Sequence, residues 1–189
     1  MPRTFRLPLA VAALAGAALL APAVSSTASA GTAAAAACST PWGSTPESAA
    51  ALSAAPVFDV RTGRHPCFDR VVIQVVGDVG GYTVGYVDVV TQEGSGTPLA
   101  VPGGARLSVA VNHPAYDDTG RVTYDHPIGP VATVDGYSTL RSVVYGGSYE
   151  GYTQLGVGVR ARLPFRVFTL AGPGIAANRI VIDVAHRWS

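Results

Sequence analysis

The sequence contains no lysine, so all 13 of its basic residues are arginine, set against 12 acidic residues. Without Arg3 and Arg6, which belong to the leader described below, 11 basic residues face 12 acidic ones and the remainder is nearly neutral. A near-neutral chain has no bulk field that attracts nucleic acid, and we expect no nucleic-acid partner. Exclusive use of arginine is typical of a GC-rich genome, although arginine also suits the recognition of planar anions.

Cysteine is also scarce, with only Cys38 and Cys67. Because there is no C-x-x-C pair, the chain lacks the usual framework for zinc binding or disulfide exchange, and we expect no metal and no cofactor. In an oxidising compartment the two thiols are expected to form one disulfide, closing a loop of about 30 residues worth about 3 to 4 kcal/mol. Lipid attachment at Cys38 is disfavoured because three alanines, Ala35 to Ala37, precede it.

The N-terminal sequence predicts export to an oxidising compartment outside the cytoplasm. Arg3 and Arg6 precede an apolar run, Leu7 to Val24, and the small residues Ala28-Ser29-Ala30 follow. This is the pattern of a secretory signal peptide, and we expect residues 1–30 to be cleaved after Ala30. A membrane anchor is the alternative, but the unbroken apolar stretches are shorter than the roughly 20 residues that a spanning helix needs. The sequence therefore predicts a secreted, extracytoplasmic protein with no membrane span after cleavage.

From Val57 onward, short runs of valine, isoleucine, tyrosine and phenylalanine are separated by glycine, proline, asparagine and aspartate. This pattern is typical of an all-β domain, here residues 57–189. Residues 31–56 are expected to be a flexible segment that carries Cys38, with a helical turn starting at Thr45. The clearest predicted strands are Arg70–Val76, Tyr82–Val90, Ala105–Asn112, Leu140–Tyr145, Tyr152–Ala161, Phe165–Leu170 and Arg179–Ala185.

The predicted strands 70–76 and 179–185 differ in their hydrophobic patterns. The run 70–76 is almost continuously apolar, which predicts burial on both faces, whereas Ile180, Ile182 and Val184 alternate and predict burial on one face.

Motifs of catalysis are mostly missing. The closest stretch to a nucleophile elbow is Gly146–Gly151, whose last glycine falls one residue late, so a serine hydrolase is disfavoured. The polar excursion 114–137 follows His113 and includes His126, and its histidines and aspartates form the best acid/base or metal candidate. Glu150 is the best single acid, although glycan hydrolysis needs a second carboxylate. A secreted glycan or peptide hydrolase that uses Glu150 or the His113–His126 loop is therefore the alternative function.

An ordered series of motifs extends from about Trp42 to Val184. Its members are the runs 60–72, 81–87, 101–107, 143–145, 150–159, 164–167 and 179–184. This series resembles the AMIN-like domain of secreted actinobacterial proteins, a relative of the AMIN domains of cell-wall amidases and secretins. The resemblance implies a single β-sandwich of short, mostly antiparallel strands. It also implies a non-enzymatic binding or adaptor module of the cell envelope, whose partner is cell-wall glycan, such as peptidoglycan, or an envelope protein.

The residues themselves suggest where such a ligand would bind. A tyrosine- and arginine-rich constellation occupies neighbouring strands, and sugars stack on aromatic faces while guanidinium groups pair with carboxylates. Its members are Tyr145, Tyr149, Tyr152, Arg160, Arg162 and Arg166. The run His65–Arg70, in contrast, is interpreted as structural, with Cys67 bridged, Phe68 packed, and Asp69 and Arg70 pairing or capping at the start of a strand.

Overall fold

A computed structural model describes residues 38–51, 53–174 and 178–189. The predicted signal peptide, residues 1–30 with Ala28 and Ala30 at its cleavage site, lies outside the described residues. Within the described ranges the chain forms ten strands and no helix, and therefore no helix that could span a bilayer.

The strands form two antiparallel sheets. Sheet A has four strands in the order β2-β3-β10-β9, and sheet B has six in the order β1-β4-β5-β8-β7-β6. The strands are β1 (Glu47–Ala49), β2 (Val57–Arg64), β3 (Phe68–Val75), β4 (Tyr82–Val87), β5 (Ala105–Val111), β6 (Gly129–Pro130), β7 (Leu140–Tyr149), β8 (Tyr152–Val159), β9 (Phe165–Leu170) and β10 (Asn178–Ala185). The predicted all-β sandwich is confirmed.

The core lies between the two sheets. Side chains alternate along a pleated strand, so every second residue faces inward. The inward residues are branched aliphatics such as Ile73 of β3, Ile180 of β10, Leu107 of β5 and Leu155 of β8, all fully buried. Each such side chain contributes about 1.5 to 3 kcal/mol of transfer free energy, so this double layer is the main stabilising element.

The burial of β3 and β10 reverses the expectations from their sequences. In β3 exposure alternates, so Val71 is buried while Val72 is partly exposed, and the prediction of a strand covered on both faces is wrong. In β10 the inward direction of Ile180, Ile182 and Val184 is confirmed, but the opposite face is buried as well. Arg70 of β3 and Arg166 of β9 contact that face at Asp183.

The segment before β2 is also different from expectation. The predicted helical turn at Thr45 is wrong, because Glu47–Ala49 forms β1 and pairs with Val84–Tyr82 of β4. Pro46 precedes the paired residues of this edge strand, where a missing amide proton costs no ladder bond. The Glu47 carboxylate accepts a hydrogen bond from the Val167 amide of sheet A, at 2.9 Å. Residues 47–49 therefore link the two sheets.

The sandwich has two distinct ends. At the lower end, β3, β5, β7 and β9 begin, and β2, β4, β8 and β10 finish. Asp69 at the start of β3 joins the sheets there, because its Oδ2 accepts hydrogen bonds from the amides of Thr139 (2.6 Å) and Leu140 (3.0 Å). At the upper end, the amide of Val57 donates to the carbonyl of Pro114, at 2.7 Å.

Candidate functional site

The three tyrosines of the sequence-predicted constellation lie in the upper part of sheet B. Tyr149 and Tyr152 face each other across the β7–β8 hairpin and are 52% and 38% exposed. Tyr145 is buried, with its ring centre 5.2 Å from that of Tyr124, and burial raises the pKa of its phenol. Tyr149 and Tyr152 are thus open to a ligand, and Tyr145 supports the fold.

The three arginines lie elsewhere. Arg160 and Arg162 follow β8 at the lower end, about 25 Å from Tyr152 along a strand that rises about 3.3 Å per residue. Arg166 is on β9 of sheet A. The structure therefore does not assemble the six side chains into one surface, because β8 carries its tyrosine at one end and its arginines follow the other.

The outward face of sheet A contains a cluster that the sequence did not single out. Asp183 lies in the middle of β10, opposite Arg70 of β3 on one side and Arg166 of β9 on the other. Its carboxylate is fully buried and accepts four hydrogen bonds. Arg70 donates from Nε (2.6 Å) and Nη2 (2.9 Å), and Arg166 donates from Nε (3.0 Å) and Nη2 (2.8 Å).

Aromatic rings surround the two guanidinium groups. The guanidinium carbon of Arg166 is 4.4 Å from the Trp42 ring centre and 4.8 Å from that of Phe168. That of Arg70 is 5.2 Å from the ring of Phe68 and 5.5 Å from that of Phe168. We call this cluster the aromatic–arginine face; it consists of Trp42, Phe68, Arg70, Arg166, Phe168 and Asp183.

The electrostatics of this face leave a net positive charge. Two guanidinium groups share one carboxylate, and the Arg166 side chain is still 42% exposed. Because Nε and Nη2 of each arginine serve Asp183, neither Nη1 is committed to that carboxylate. Such a face can stack against a sugar ring and donate to an anionic group at the same time.

A disulfide between Cys38 and Cys67 closes the lower edge of this face. Cys67 directly precedes Phe68, whose ring centre is 5.7 Å from that of Trp42 in an edge-on arrangement. The bridge therefore ties the segment that carries Trp42 to the start of β3, and the predicted pairing is present.

Within the run 65–70, Asp69 has a structural role, whereas Phe68 and Arg70 belong to the aromatic–arginine face. Asp69 is almost fully buried, caps the Thr139 and Leu140 amides, and also contacts Nε2 of His186, at 3.1 Å. Arg70 pairs with Asp183 and not with its neighbour. The expected capping role of Asp69 is confirmed.

His113, which the sequence suggests as part of an acid/base patch, is buried at the upper end of the sandwich. The amide of Gly80 donates to Nε2 of His113, at 2.8 Å, and Nδ1 lies 2.6 Å from the carbonyl of Ala55. This pattern requires the neutral tautomer with its proton on Nδ1. Burial lowers the pKa of His113, while the Ala55 carbonyl raises it to a lesser degree. His113 therefore holds three loops together and is closed to a substrate.

The acidic candidates are scattered over surface turns. The Thr119 hydroxyl is the main cause that lowers the pKa of Asp117 to about 2, and amide and guanidinium donors of Arg121 act in the same direction. Glu150 occupies the tip of the β7–β8 hairpin and lines a cavity of about 460 Å³ with Ser53, Ala54, Asn112, Gly151 and Tyr152, none of which carries a second carboxylate. Across the described ranges, no three histidine, cysteine or acidic side chains converge as metal ligands.

Fold and site together define an all-β sandwich with a partly exposed aromatic and cationic face. A sequence profile of the AMIN-like domain matches residues 55–186. The chain therefore belongs to the AMIN-like domain family. No protein in a curated set matches the chain.

Membership of this family suggests a binding module associated with peptidoglycan or the cell envelope. Domains of this family are non-catalytic. Membership of the AMIN-like family and the Cys38–Cys67 disulfide are both compatible with an extracytoplasmic location.

Proposed function

We propose that this protein is a secreted, non-enzymatic binding module of the cell envelope, and that its aromatic–arginine face binds the glycan of peptidoglycan. Family membership supports the class of function. The observation that carries the choice of surface is the buried carboxylate of Asp183, which holds Arg70 and Arg166 side by side among three aromatic rings.

This arrangement suits a ligand that alternates apolar sugar faces with carboxylates. The rings of Trp42 and Phe168 are partly exposed and offer stacking surfaces. Nη1 of Arg166, which is not bonded to Asp183, can donate to a lactyl or peptide carboxylate of the same strand. Stacking and charge pairing thus act within one contact area.

Fixing the arginines in advance favours binding. A free arginine loses about 1.5 to 2 kcal/mol of rotamer entropy when it is immobilised. Asp183 has already immobilised both guanidinium groups through paired hydrogen bonds, so less of this cost falls on ligand binding. Since the face carries a net positive charge, an anionic glycan is favoured over a neutral one.

The test is a pull-down with purified cell-wall sacculi. We expect the wild-type protein to sediment with the sacculi and the variant Trp42→Ala plus Arg166→Ala to lose at least ten-fold in affinity. Arg121→Ala is the matched control, because it removes an exposed arginine at the opposite end of the sandwich. Tyr149→Ala plus Tyr152→Ala tests the hairpin tyrosines as a second contact.

The outcomes separate the possible partners. Wild-type protein that stays in the supernatant would overturn the glycan proposal in favour of an envelope protein as partner. Retention of the Trp42 and Arg166 variant, together with loss in the hairpin variant, would move the binding surface to Tyr149 and Tyr152.

A further inference from the structure

A second cationic surface lies at the lower end of the sandwich. It consists of five arginines from four separate parts of the chain, which we call the basic end: Arg64, Arg106, Arg141, Arg160 and Arg162. None of these five guanidinium groups takes part in an ion pair with another described residue. Their positive charge is therefore not neutralised by a carboxylate in contact.

Contacts with the backbone hold three of these side chains in place. Arg141 Nη1 donates to the carbonyls of Leu140 (2.8 Å) and Tyr137 (3.1 Å). Arg106 Nε donates to the carbonyl of Val101, at 3.0 Å. Arg160 Nη2 donates to the carbonyl of His186. A carbonyl oxygen fixes a guanidinium group without cancelling its charge.

The other two arginines are placed partly by aromatic rings. The guanidinium carbon of Arg64 lies 5.7 Å from the ring centre of Tyr137, whose carbonyl also accepts from Arg141. That of Arg162 lies 5.0 Å from the ring centre of Tyr86, and its Nη2 donates to the carbonyl of Ser44, at 3.1 Å. The five arginines thus form a band across the end of both sheets.

Part of this band is recessed. Arg106 and Arg162 line a cavity of about 410 Å³ together with Tyr86, Val87, Asp88, Gly104 and Ala105. Asp88 is the one acidic residue in this lining, so the cavity retains an excess of positive charge.

The opposite end of the sandwich carries the complementary charge. Asp78, Asp118 and Asp117, the last paired with Arg121, line one cavity there, of about 420 Å³, and Glu150 lines a neighbouring one. The two ends are about 25 Å apart, given strands of 8 residues at about 3.3 Å each. That separation exceeds the Debye length of about 8 Å at physiological ionic strength, so the acidic end does not screen the basic one.

We propose that the basic end binds a linear polyanion of the envelope, a flexible chain with repeated phosphate or carboxylate groups. A band of five arginines is wider than one small anion can occupy, and repeated anionic groups match it. A flexible chain can enter the cavity between Arg106 and Arg162, whereas the flat surface of a bilayer cannot. The acidic end repels the same polyanion, so the protein approaches the polyanion with its basic end first.

The test measures binding of the purified protein to long-chain polyphosphate and to polyglutamate, with neutral dextran as a blank. We expect binding to at least one polyanion, weakening as salt increases, and the preferred polymer identifies the anionic group. Arg106→Gln plus Arg162→Gln should weaken binding at least ten-fold. Arg61→Gln plus Arg121→Gln removes the same number of charges from exposed ion pairs elsewhere and is the matched control.

Three results would overturn the proposal: equal weakening in both double variants, no binding to either polyanion, or binding to anionic phospholipid vesicles alone. Arg106→Lys plus Arg162→Lys retains the charge and should bind within a few-fold of wild type if the fold is intact. The Trp42→Ala plus Arg166→Ala variant should bind polyphosphate or polyglutamate as wild type does, which keeps this site distinct from the aromatic–arginine face.

Discussion

The guanidinium group of Arg166 lies 4.4 Å from the centre of the Trp42 ring, although the two residues belong to opposite ends of the described chain. Three contacts create this pairing. The amide of Phe165 donates to the carbonyl of Gly43, at 2.8 Å, which places the neighbouring Trp42 beside Arg166. The carboxylate of Asp183 fixes Arg166 from one side, and the disulfide anchors the segment of Trp42 from the other. The candidate site therefore depends on a buried ion cluster and on a covalent bond.

Removing the disulfide should destabilise the fold and alter the environment of Trp42. For Cys38→Ser plus Cys67→Ser we expect the free energy of unfolding to fall by about 3 to 4 kcal/mol, the chain-entropy value for a loop of this length. Urea denaturation measures this loss, and tryptophan fluorescence in a Trp188→Phe background follows Trp42. A reduced wild-type protein with unchanged stability and spectrum would contradict the anchoring role.

Replacing the shared carboxylate should weaken both the sheet and the site. Asp183→Asn removes the charge of a buried carboxylate that accepts four hydrogen bonds, and removing one partner of a buried ion pair costs about 3 to 5 kcal/mol, so we expect a loss of that size. Retention on sacculi should fall as well, because Arg70 and Arg166 are no longer fixed.

The control for this substitution is Asp59→Asn, which removes a carboxylate from an exposed pair with Arg61. Such a pair contributes about 0 to 1 kcal/mol. Equal destabilisation by both variants would show that the burial of Asp183 has no special role.

His113 should make stability depend on pH in the mildly acidic range. Its folded pKa is lowered, so the unfolded chain takes up a proton first as pH falls below 6.5. The free energy of unfolding should therefore be constant above about pH 6.5 and decline below it, down to the folded pKa of this group. His113→Gln should lose the decline in that window, whereas His126→Gln, at a partly exposed histidine, should keep it.

Glu150 should tolerate replacement by glycine. Its φ angle is 48° and that of Gly151 is 86°, a tight hairpin turn with two left-handed residues. Left-handed backbone costs a residue with a side chain roughly 1 to 2 kcal/mol, which exceeds the roughly 0.5 to 1 kcal/mol entropic cost of glycine. We expect Glu150→Gly to raise the melting temperature, measured by circular dichroism, while Gly151→Ala lowers it. Lower stability of the glycine variant would indicate an unrecognised contact of the carboxylate.

Much of the fold could be predicted from the sequence because strand periodicity is local. Phe165–Leu170 was predicted with its observed limits, and other strands differ by a few residues at their ends. Three edge strands, β1, β2 and β6, were missed. β1 and β6 are only two or three residues long and carry too little periodic signal, and the apolar residues at the start of β2 (Val57, Phe58 and Val60) do not alternate.

The candidate site was harder to predict. Asp183 did carry a signal, because a carboxylate among Ile182, Val184 and Ala185 in a strand implies a charged partner. Nothing in the sequence identifies that partner as both Arg70 and Arg166, which lie on different strands.

The sequence by itself determined the all-β class, the family and the pairing of the two cysteines. The class and the family depend on local sequence patterns, and two cysteines allow only one intramolecular pairing. The tertiary structure decided which charges share a surface. Antiparallel pairing sends Tyr152 and Arg160 to opposite ends of β8 and brings three distant strands together around Asp183. It also turns a nearly neutral chain into one with a basic end and an acidic end, since core packing, and not sequence spacing, fixes the direction of each strand.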